Sequence, residues 1–478
     1  MLEPKAVFSH FVKLCEIPHG SYNIDAISDY LYDFAKGLNL WVKQDDYKNV
    51  LIRKPATPGY EDVPAVLLQG HMDMVAVKEE GCPLDLEKDG LDLAYEDGYL
   101  YAKGTSLGGD DGIALAYAMA ILAADDIPHP ALEVLFTVNE EVGMDGAIGV
   151  DLSDFSAGRL LNIDSEEEGI LLAGCAGGTR IKAVFEEKRM ETQGDLWQLS
   201  LKGFQGGHSG ADIHKWRGNA ICVLGRCLDL LAEAVSLQLV SLEGGEKDNA
   251  IPRFAQALIC VSKDDEDVFL SSFAEIEKEL LGEFADREPE MKFFCEKQKF
   301  AAPVCAFSKD ATARISGLIA SVFDGVISMS AELKGIVETS LNLGVVSTNE
   351  DGVSAVFALR SSKKSAKDYL ARRLIKLAEV FGARTERSGD YPAWEYRSDS
   401  PLRDKMVRIF EEQYGHEPEV TVIHAGLECG ILLEKNPKLD AISFGPDILD
   451  IHTTRERLDV KSVERTWKYI LAVLADKE

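Results

Sequence analysis

No Cys-x-x-Cys pair occurs in this 478-residue sequence, and its nine cysteines, at positions 15, 82, 175, 222, 227, 260, 295, 305 and 429, are scattered. An odd number without an export signal reads as reduced thiols rather than a disulfide framework. No apolar run reaches the roughly 18 residues needed to span a bilayer. The amino terminus carries Glu3, Lys5, His10 and Lys13 in place of a continuous apolar segment, so a secretory signal is not expected and a cytoplasmic location is. Positive charge is scarce: 51 Lys and Arg stand against 81 Asp and Glu, a net charge of −30. Such a chain repels phosphate backbones and anionic membranes, so neither nucleic acid nor a membrane is an expected partner. Internal repeats and low-complexity segments are also lacking. What is present, 46% hydrophobic and 28% charged residues, fits a globular protein, and the length implies two or three domains.

The sequence is organised around Thr137-Val138-Asn139-Glu140-Glu141-Val142-Gly143. The apolar run from Ala131 to Val138 reads as a buried parallel strand, with two adjacent carboxylates at its carboxyl end, where open α/β sheets place their chemistry. Side chains alternate faces along a strand, so Glu140 and Glu141 can serve one site only if the backbone has left the strand there. Gly143 and Gly146 make that turn plausible. An isolated Glu-Glu pair is more often an exposed acidic loop, and the neighbouring strands decide the question. Pro64 to Gln69 ends in Gly70-His71-Met72-Asp73, whose His and Asp, two apart, project to one side in extended chain. Taken alone, that pair is as readily ordinary as it is a metal ligand with a supporting carboxylate. Leu160 to Ile163 ends in Asp164, followed by the acidic run Ser165-Glu166-Glu167-Glu168. Between the first two strands, Leu107-Gly108-Gly109-Asp110-Asp111-Gly112 opens a helix, Ile113 to Ala124, that is apolar nearly all round. A glycine-rich loop at a helix amino terminus can cradle a phosphate. With two aspartates and no lysine, an anion site is disfavoured here and a cation site preferred. One of Asp110 and Asp111 is expected to cap the helix and the other to do chemistry. Three strands ending in ligand-type residues, with a fourth contribution between them, favour a metal site.

From about residue 190 the character changes. Strand and helix candidates, among them helices at 220–235, 267–282 and 365–381, imply an α+β domain inserted into the first. Three segments follow: 1–188 and 388–478 forming a catalytic domain, and 189–387 an inserted lid or dimerisation domain. The fold class is α/β, a mixed, largely parallel sheet flanked by helices with an α+β insertion.

The blocks HMDMV at 71, LGGDDGIA at 107, NEEVGMDGA at 139, NID at 162, GGHSG at 206, NAIPR at 249, ETSLNLG at 338, HAGLECG at 424 and GPDILDIHTTRERL at 445 resemble the M20 clan of cocatalytic metallopeptidases, and within it the aminoacyl-histidine dipeptidases. The resemblance runs nearly the full length. It implies two divalent metal ions, one held by His71, Asp110 and Asp164 and the other by Asp110, Glu141 and His452, with Asp110 bridging. Zinc is the family's expected metal, while the N and O donors also admit manganese or cobalt. Glu140 matches the general base, taking a proton from a metal-bridging water, and Asp73 the carboxylate that orients His71. In the insertion His208 matches a histidine that in similar enzymes reaches across a dimer to the oxyanion. Asn249 and Arg360 match contacts to the substrate carbonyl and free carboxylate, and His424 and Glu428 further substrate contacts, Glu428 towards a free ammonium. The chain departs from the family in having Gly109-Asp110-Asp111-Gly112 where Ala-Asp-Asn-Gly is common, so Asp111 alters metal affinity or caps the helix.

The implied activity is hydrolysis of unblocked dipeptides, Xaa-His and broader, by a homodimer formed through the insertion. The alternatives are an N-acyl-amino-acid amidohydrolase or carboxypeptidase of the same clan, and, from another class, a non-catalytic protein retaining the scaffold.

Overall fold

Four apolar segments lie side by side as parallel strands at the centre of an eight-stranded sheet, in the order Leu132–Thr137, Val66–His71, Arg159–Asn162, Asp440–Ser443. The computed structural model describes residues 2–299 and 304–478. Every residue of Val66–His71 and of Leu132–Thr137 is buried, as parallel strands covered on both faces must be. Val50–Lys54 and then Trp41–Gln44 extend one edge in antiparallel fashion, while Ile170–Cys175 and Glu419–Ile423 extend the other. The carboxyl ends of the parallel strands therefore open on one edge of the sheet, where His71, the Glu140–Glu141 turn and Asp164 follow.

One face is covered by helix Gly109–Ala123, whose side chains are buried from Gly109 through Leu122. Such an all-round apolar helix needs partners on every side. It has the sheet on one, and helix Lys5–Cys15 with Val7, Phe8, Phe11 and Leu14 turned inward on another. The closing helix, Val460–Ala475, adds a third contact: Tyr117 donates its hydroxyl hydrogen to the Val463 carbonyl at 2.9 Å and stacks on Trp467 at 6.0 Å between ring centroids. A four-stranded sheet, Ile448–Leu449, Arg457–Asp459, Tyr99–Ala102 and Leu93–Glu96, ties the carboxyl-terminal hairpin to the segment leading into that helix.

The chain divides into two compact units, 1–175 with 396–422 and 427–478, and 176–395 with 423–426. The second holds a nine-stranded sheet, ordered from Lys292–Gln298 through Asp195–Lys202, Ala255–Val261, Leu237–Gly244, Val337–Thr348, Gly352–Ser361 and Gly177–Glu186 to Arg384–Tyr391, with Gly325–Met329 beside Val337–Thr348. Helices Ala220–Ala234, Glu266–Phe284, Lys309–Ser321 and Lys364–Val380 contribute to its core. Positions 188 and 388, expected as boundaries, both lie within this unit. Gly177–Glu186 pairs along its length with Gly352–Ser361, and Arg384–Tyr391 pairs with it in turn, so neither strand belongs with the first sheet. Among the described residues no helix is long and apolar enough to cross a membrane.

Packing between sheet and helix is tight at Gly70, where an added Cβ would lie 2.5 Å from Asp111 Oδ2 and 2.6 Å from Ala114 Cβ. At Gly37, exposed at the end of helix Asp25–Gly37, it would meet nothing within 4 Å. Gly70→Ala is expected to destabilise the protein by about 1–3 kcal/mol through overpacking. Gly37→Ala is expected to be neutral or to add up to about 1 kcal/mol. Shifts in the denaturation midpoint measure both.

Candidate metal centre

At the end of Val66–His71 the His71 ring is fixed by its own backbone neighbourhood: Nδ1–H donates to the Asp73 carbonyl oxygen at 2.9 Å. A carbonyl oxygen can only accept, so Nδ1 carries a proton and, in the neutral ring, the Nε2 lone pair faces the site. Nε2 lies 3.1 Å from Asp110 Oδ1 and 3.9 Å from Asp164 Oδ1. The other oxygen of the same aspartate, Asp110 Oδ2, is 3.0 Å from His452 Nε2, and His452 Nε2 is 2.9 Å from Glu141 Oε1. Asp110 thus turns one oxygen to each imidazole. His452 reaches it from the loop between Ile448–Leu449 and Arg457–Asp459, and the histidine itself is in the left-handed region at φ 60°. Ligand atoms of His71, Asp110 and Glu141 all fall within 4.8 Å of one another, as do those of His71, Asp111 and Asp164, and of Asp110, Asp164 and Glu166.

The Glu140–Glu141 turn forms as the strand pattern requires. Asn139 is left-handed, at φ 54°, ending Leu132–Thr137 and starting the short helix Glu140–Gly143. Asp73 secures it: one carboxylate oxygen accepts the Glu140 backbone N–H at 2.9 Å and the other the Ser21 hydroxyl at 2.8 Å. Its carboxylate is 3.5 Å from His71 Nδ1, so Asp73 braces the imidazole chiefly through its backbone carbonyl. Glu140 stands outside every group of potential ligands.

Burial raises the Glu140 pKa well above the ordinary carboxylate value, and Glu428, Glu141 and Asp110 add to this against the opposing pull of His71. Asp164 is raised likewise, by burial and by Asp111, Asp110 and Glu140. Burial opposes charge on the imidazoles, but their hydrogen bonds to carboxylates outweigh it: His71 is raised well above its usual value, and His452 to about 10. Carboxylates crowded out of water call for added positive charge. Asp164 Oδ2, buried without a hydrogen-bond partner, leaves an acceptor for it. An all-N/O donor set of histidine and carboxylates suits a divalent cation.

Two expectations are corrected, and a third residue, Glu428, is more enclosed than a loop position implies. Neither aspartate caps helix Gly109–Ala123, which has no side-chain cap; Asp111 is buried, and its Oδ2 accepts the His71 backbone N–H at 3.2 Å. The glycine loop does bind an anion, the chain's own: Glu456 accepts the backbone N–H groups of residues 107 to 110. Glu428 is 0% exposed, with Oε2 accepting from Gln69 and Thr137 at 2.6 Å each, and burial pushes its pKa up to about 7. Its other oxygen, Oε1, is buried without a hydrogen-bond partner and leaves one acceptor open. Glu166, with a pKa raised to about 7 by burial and Asp110, joins the cluster from an acidic run that is visible in the sequence without any sign of which member turns inward. Glu456 has no such local sign, since its first partner, Leu107, is 349 positions away.

The remaining residues lie in the second unit. His208 Nδ1 accepts the N–H groups of Gly210 at 3.3 Å and Ala211 at 3.0 Å, leaving Nε2 to carry the ring proton of the neutral form. Asn249 is next to Ala250, which pairs with His208, and its carbonyl accepts the Ser209 N–H at 2.8 Å. Arg360 donates to the Tyr391 hydroxyl at 2.9 Å. His424 Nε2 is 2.8 Å from Ser340 Oγ, and burial, then Arg360, bring its pKa down to about 3. The same guanidinium lowers His208, after burial. His208, Arg360 and His424 therefore form one cationic-to-neutral group.

Comparison with known proteins places the chain as a whole. The chain is 37% identical over 478 residues to the cytosol non-specific dipeptidase of Escherichia coli, covering 99% of this chain and 98% of that protein. Its fold matches the crystal structure of aminoacylhistidine dipeptidase from Vibrio alginolyticus with a TM-score of 0.90 and 38% identity, over 99% of this chain and 97% of the other. The aminopeptidase PepT of Bacillus cereus shares the fold more distantly, with a TM-score of 0.57 and 15% identity over 99% and 98% of the two chains. The model of peptidase family M20/M25/M40 matches residues 67–476, a span that takes in every member of the cluster from His71 to His452, and the chain belongs to that family.

Proposed function

We propose that the protein is a dinuclear metal-dependent dipeptidase acting on unblocked dipeptides, Xaa-His and broader. The observation that carries the reading is Asp110, with one carboxylate oxygen directed to each of two imidazoles and Glu140 beside them outside the ligand set. His71, Asp110 and Asp164 would hold one cation and Asp110, Glu141 and His452 the other, zinc in our reading. Bound there, the cations would polarise the scissile carbonyl and make water acidic enough to attack it. Glu140 takes the proton of the attacking water and delivers it to the leaving amine nitrogen. Burial suits it to this, since its raised pKa brings it closer to the pH at which a general base also serves as acid. Asp73 holds the Glu140 backbone and the His71 ring at once. Arg360, with a fork-shaped guanidinium, His208, Asn249 and His424 would receive the substrate's carbonyl and free carboxylate. A homodimer formed through the insertion at 189–387 and a cytoplasmic location complete the proposal; the location is in keeping with the printed name of the 37% identical relative, a cytosol dipeptidase.

The experiment is hydrolysis of Ala-His, β-Ala-His, Leu-Gly, N-acetyl-Ala-His and a tripeptide by chelator-stripped protein re-supplied with zinc, manganese or cobalt. Metal-dependent cleavage confined to the free dipeptides supports the reading. Cleavage of the acetylated compound alone would replace it with the amidohydrolase.

Glu140→Gln is expected to lower kcat by about 10²–10⁴-fold, the share of a general acid–base. Metal uptake, measured by elemental analysis, should stay at the wild-type value. Loss of metal together with activity would make Glu140 a ligand instead.

Removing metal should also give stability a pH dependence of known sign. His452, raised from 6.5 to about 10, and His71, Glu140 and Asp164, raised likewise, each bind more protons folded than unfolded between their ordinary and raised pKa values. Stability is then lost as pH rises through that window. Asp73, whose pKa is lowered from 3.8, acts oppositely, but only at acid pH. The melting temperature of metal-free protein is expected to fall between about pH 6.5 and pH 9, and to fall less with zinc present. Parallel curves for the two forms would count against a cation site in this cluster.

A further inference from the structure

Glu456 is 3% exposed, and nothing in a metallopeptidase ligand set accounts for a buried carboxylate at that position. Its Oε2 accepts the N–H of Leu107 at 2.7 Å and of Gly108 at 3.0 Å; its Oε1 accepts that of Gly109 at 2.7 Å and of Asp110 at 3.4 Å. Successive N–H groups converge in this way where one residue of a turn is left-handed, and Gly108 is, at φ 69° and ψ 33°. The concavity resembles a phosphate-binding loop in its backbone, but a glutamate of the same chain fills it. Fit is close: a Cβ on Gly109 would lie 3.2 Å from Glu456 Oε1.

The clamp joins the two segments that carry facing ligands. Asp110 is the last residue of the nest. His452 is four positions before Glu456 in the loop closed by the pairs Ile448 with Leu458 and Leu449 with Arg457. That loop is folded on itself, with Glu456 N–H donating to the Thr453 carbonyl at 3.2 Å and the Thr453 hydroxyl to the Asp450 carbonyl at 2.7 Å. Asp110 Oδ2 and His452 Nε2 stand 3.0 Å apart, although their residues are 342 positions apart. No hydrogen bond within either segment can fix that separation. Pairing of Arg457–Asp459 with Tyr99–Ala102 brings the two stretches together, and Glu456 makes the tie next to the ligands themselves, because its carboxylate is bonded to the backbone of the first segment and belongs to the second.

We propose that Glu456 is a positioning residue that sets the distance between Asp110 and His452, and so the affinity of the metal position these two share. The inference rests on the dinuclear reading above. It touches neither substrate nor reacting atoms. Outer partners that orient metal ligands are commonly worth about 10–100-fold in metal affinity.

The test compares wild type, Glu456→Gln and Gly109→Ala, each stripped of metal, in zinc titrations against a competing chromophoric chelator and in the visible absorption of the cobalt-loaded proteins. Glutamine keeps the length but offers one acceptor in place of two and turns an N–H donor towards the nest. Wild type should take up two ions per chain, as a two-metal site requires. Glu456→Gln should bind one of them about 10–100-fold more weakly, with an altered cobalt spectrum. Activity should be partly restored by excess metal. Gly109→Ala, which crowds the carboxylate without removing it, should move affinity and spectrum in the same direction by less. Folded Glu456→Gln with wild-type affinities and spectrum overturns the inference. If that variant does not fold, Gly109→Ala with wild-type affinity and spectrum overturns it equally. Wild-type protein that takes up fewer than two ions overturns the dinuclear reading and this inference with it, whereas two ions bound equally well by wild type and variant overturn the inference alone.

Discussion

Crowding Asp110, Glu140, Glu141 and Asp164 at one edge of a buried sheet is unfavourable unless positive charge is brought to them, and most of the first unit can be understood as the means of holding that arrangement. Coulomb repulsion between carboxylates a few ångströms apart grows as water is excluded. Two imidazoles offset part of it, each drawn above its usual pKa by the carboxylates it faces. The remainder is relieved by protons, by cations, or by a backbone that keeps the groups from rearranging. Parallel strands supply the last of these: Val66–His71 and Leu132–Thr137 are in register over six residue pairs, so their ends cannot slide. Helix Gly109–Ala123, apolar on all sides and packed on all sides, fixes the entry of Asp110 in the same way.

Much of this was legible in the sequence, because the relevant signals are local. An apolar run ending in a polar residue says where a parallel strand stops, and three such runs placed His71, Glu140 with Glu141, and Asp164 at one sheet edge before any contact was known. The helices expected at 220–235 and 365–381 have a strong enough periodicity to be read to within a residue of their ends, Ala220–Ala234 and Lys364–Val380. Less legible were elements whose pattern depends on a remote partner. Strand Gly177–Glu186 alternates buried and exposed residues, yet its sheet is chosen by pairing with Gly352–Ser361, some 170 positions on, and composition near residue 188 carries no trace of that choice. The domain boundary was misplaced for this reason.

Glu428 illustrates a different limit. Its sequence context, His424-Ala425-Gly426-Leu427-Glu428, looks like a polar loop, and a glutamate in a polar loop reads as an exposed binding group. The structure buries it completely, with Gln69 and Thr137 as donors, while Asn162 donates to Gln69 in turn at 2.6 Å. Three residues on three neighbouring parallel strands form this chain, and each is an ordinary polar residue within an apolar run. A buried polar network is visible only once its members are brought together, since each member alone looks like an exception.

The two acidic doublets show how adjacent identical charges come to do different work. Neighbouring residues diverge when the backbone turns between them, and both doublets lie where it does. After left-handed Asn139 the chain enters a helical turn, so Glu140 and Glu141 point about 100° apart, one towards His452 and the other outside the ligand groups. At Asp110 and Asp111 the backbone is not yet helical, with ψ values of 106° and 26°, and the two carboxylates separate: Asp110 to the imidazoles, Asp111 beneath the His71 backbone. Burial, and after it the neighbouring Asp110, raises the Asp111 pKa well above the usual value against the pull of His71, so enclosure works against a second charge beside Asp110. The extra aspartate is therefore compatible with a crowded anionic site for the same reason that it does not cap the helix: it is enclosed, and its carboxylate is taken up by the His71 backbone N–H.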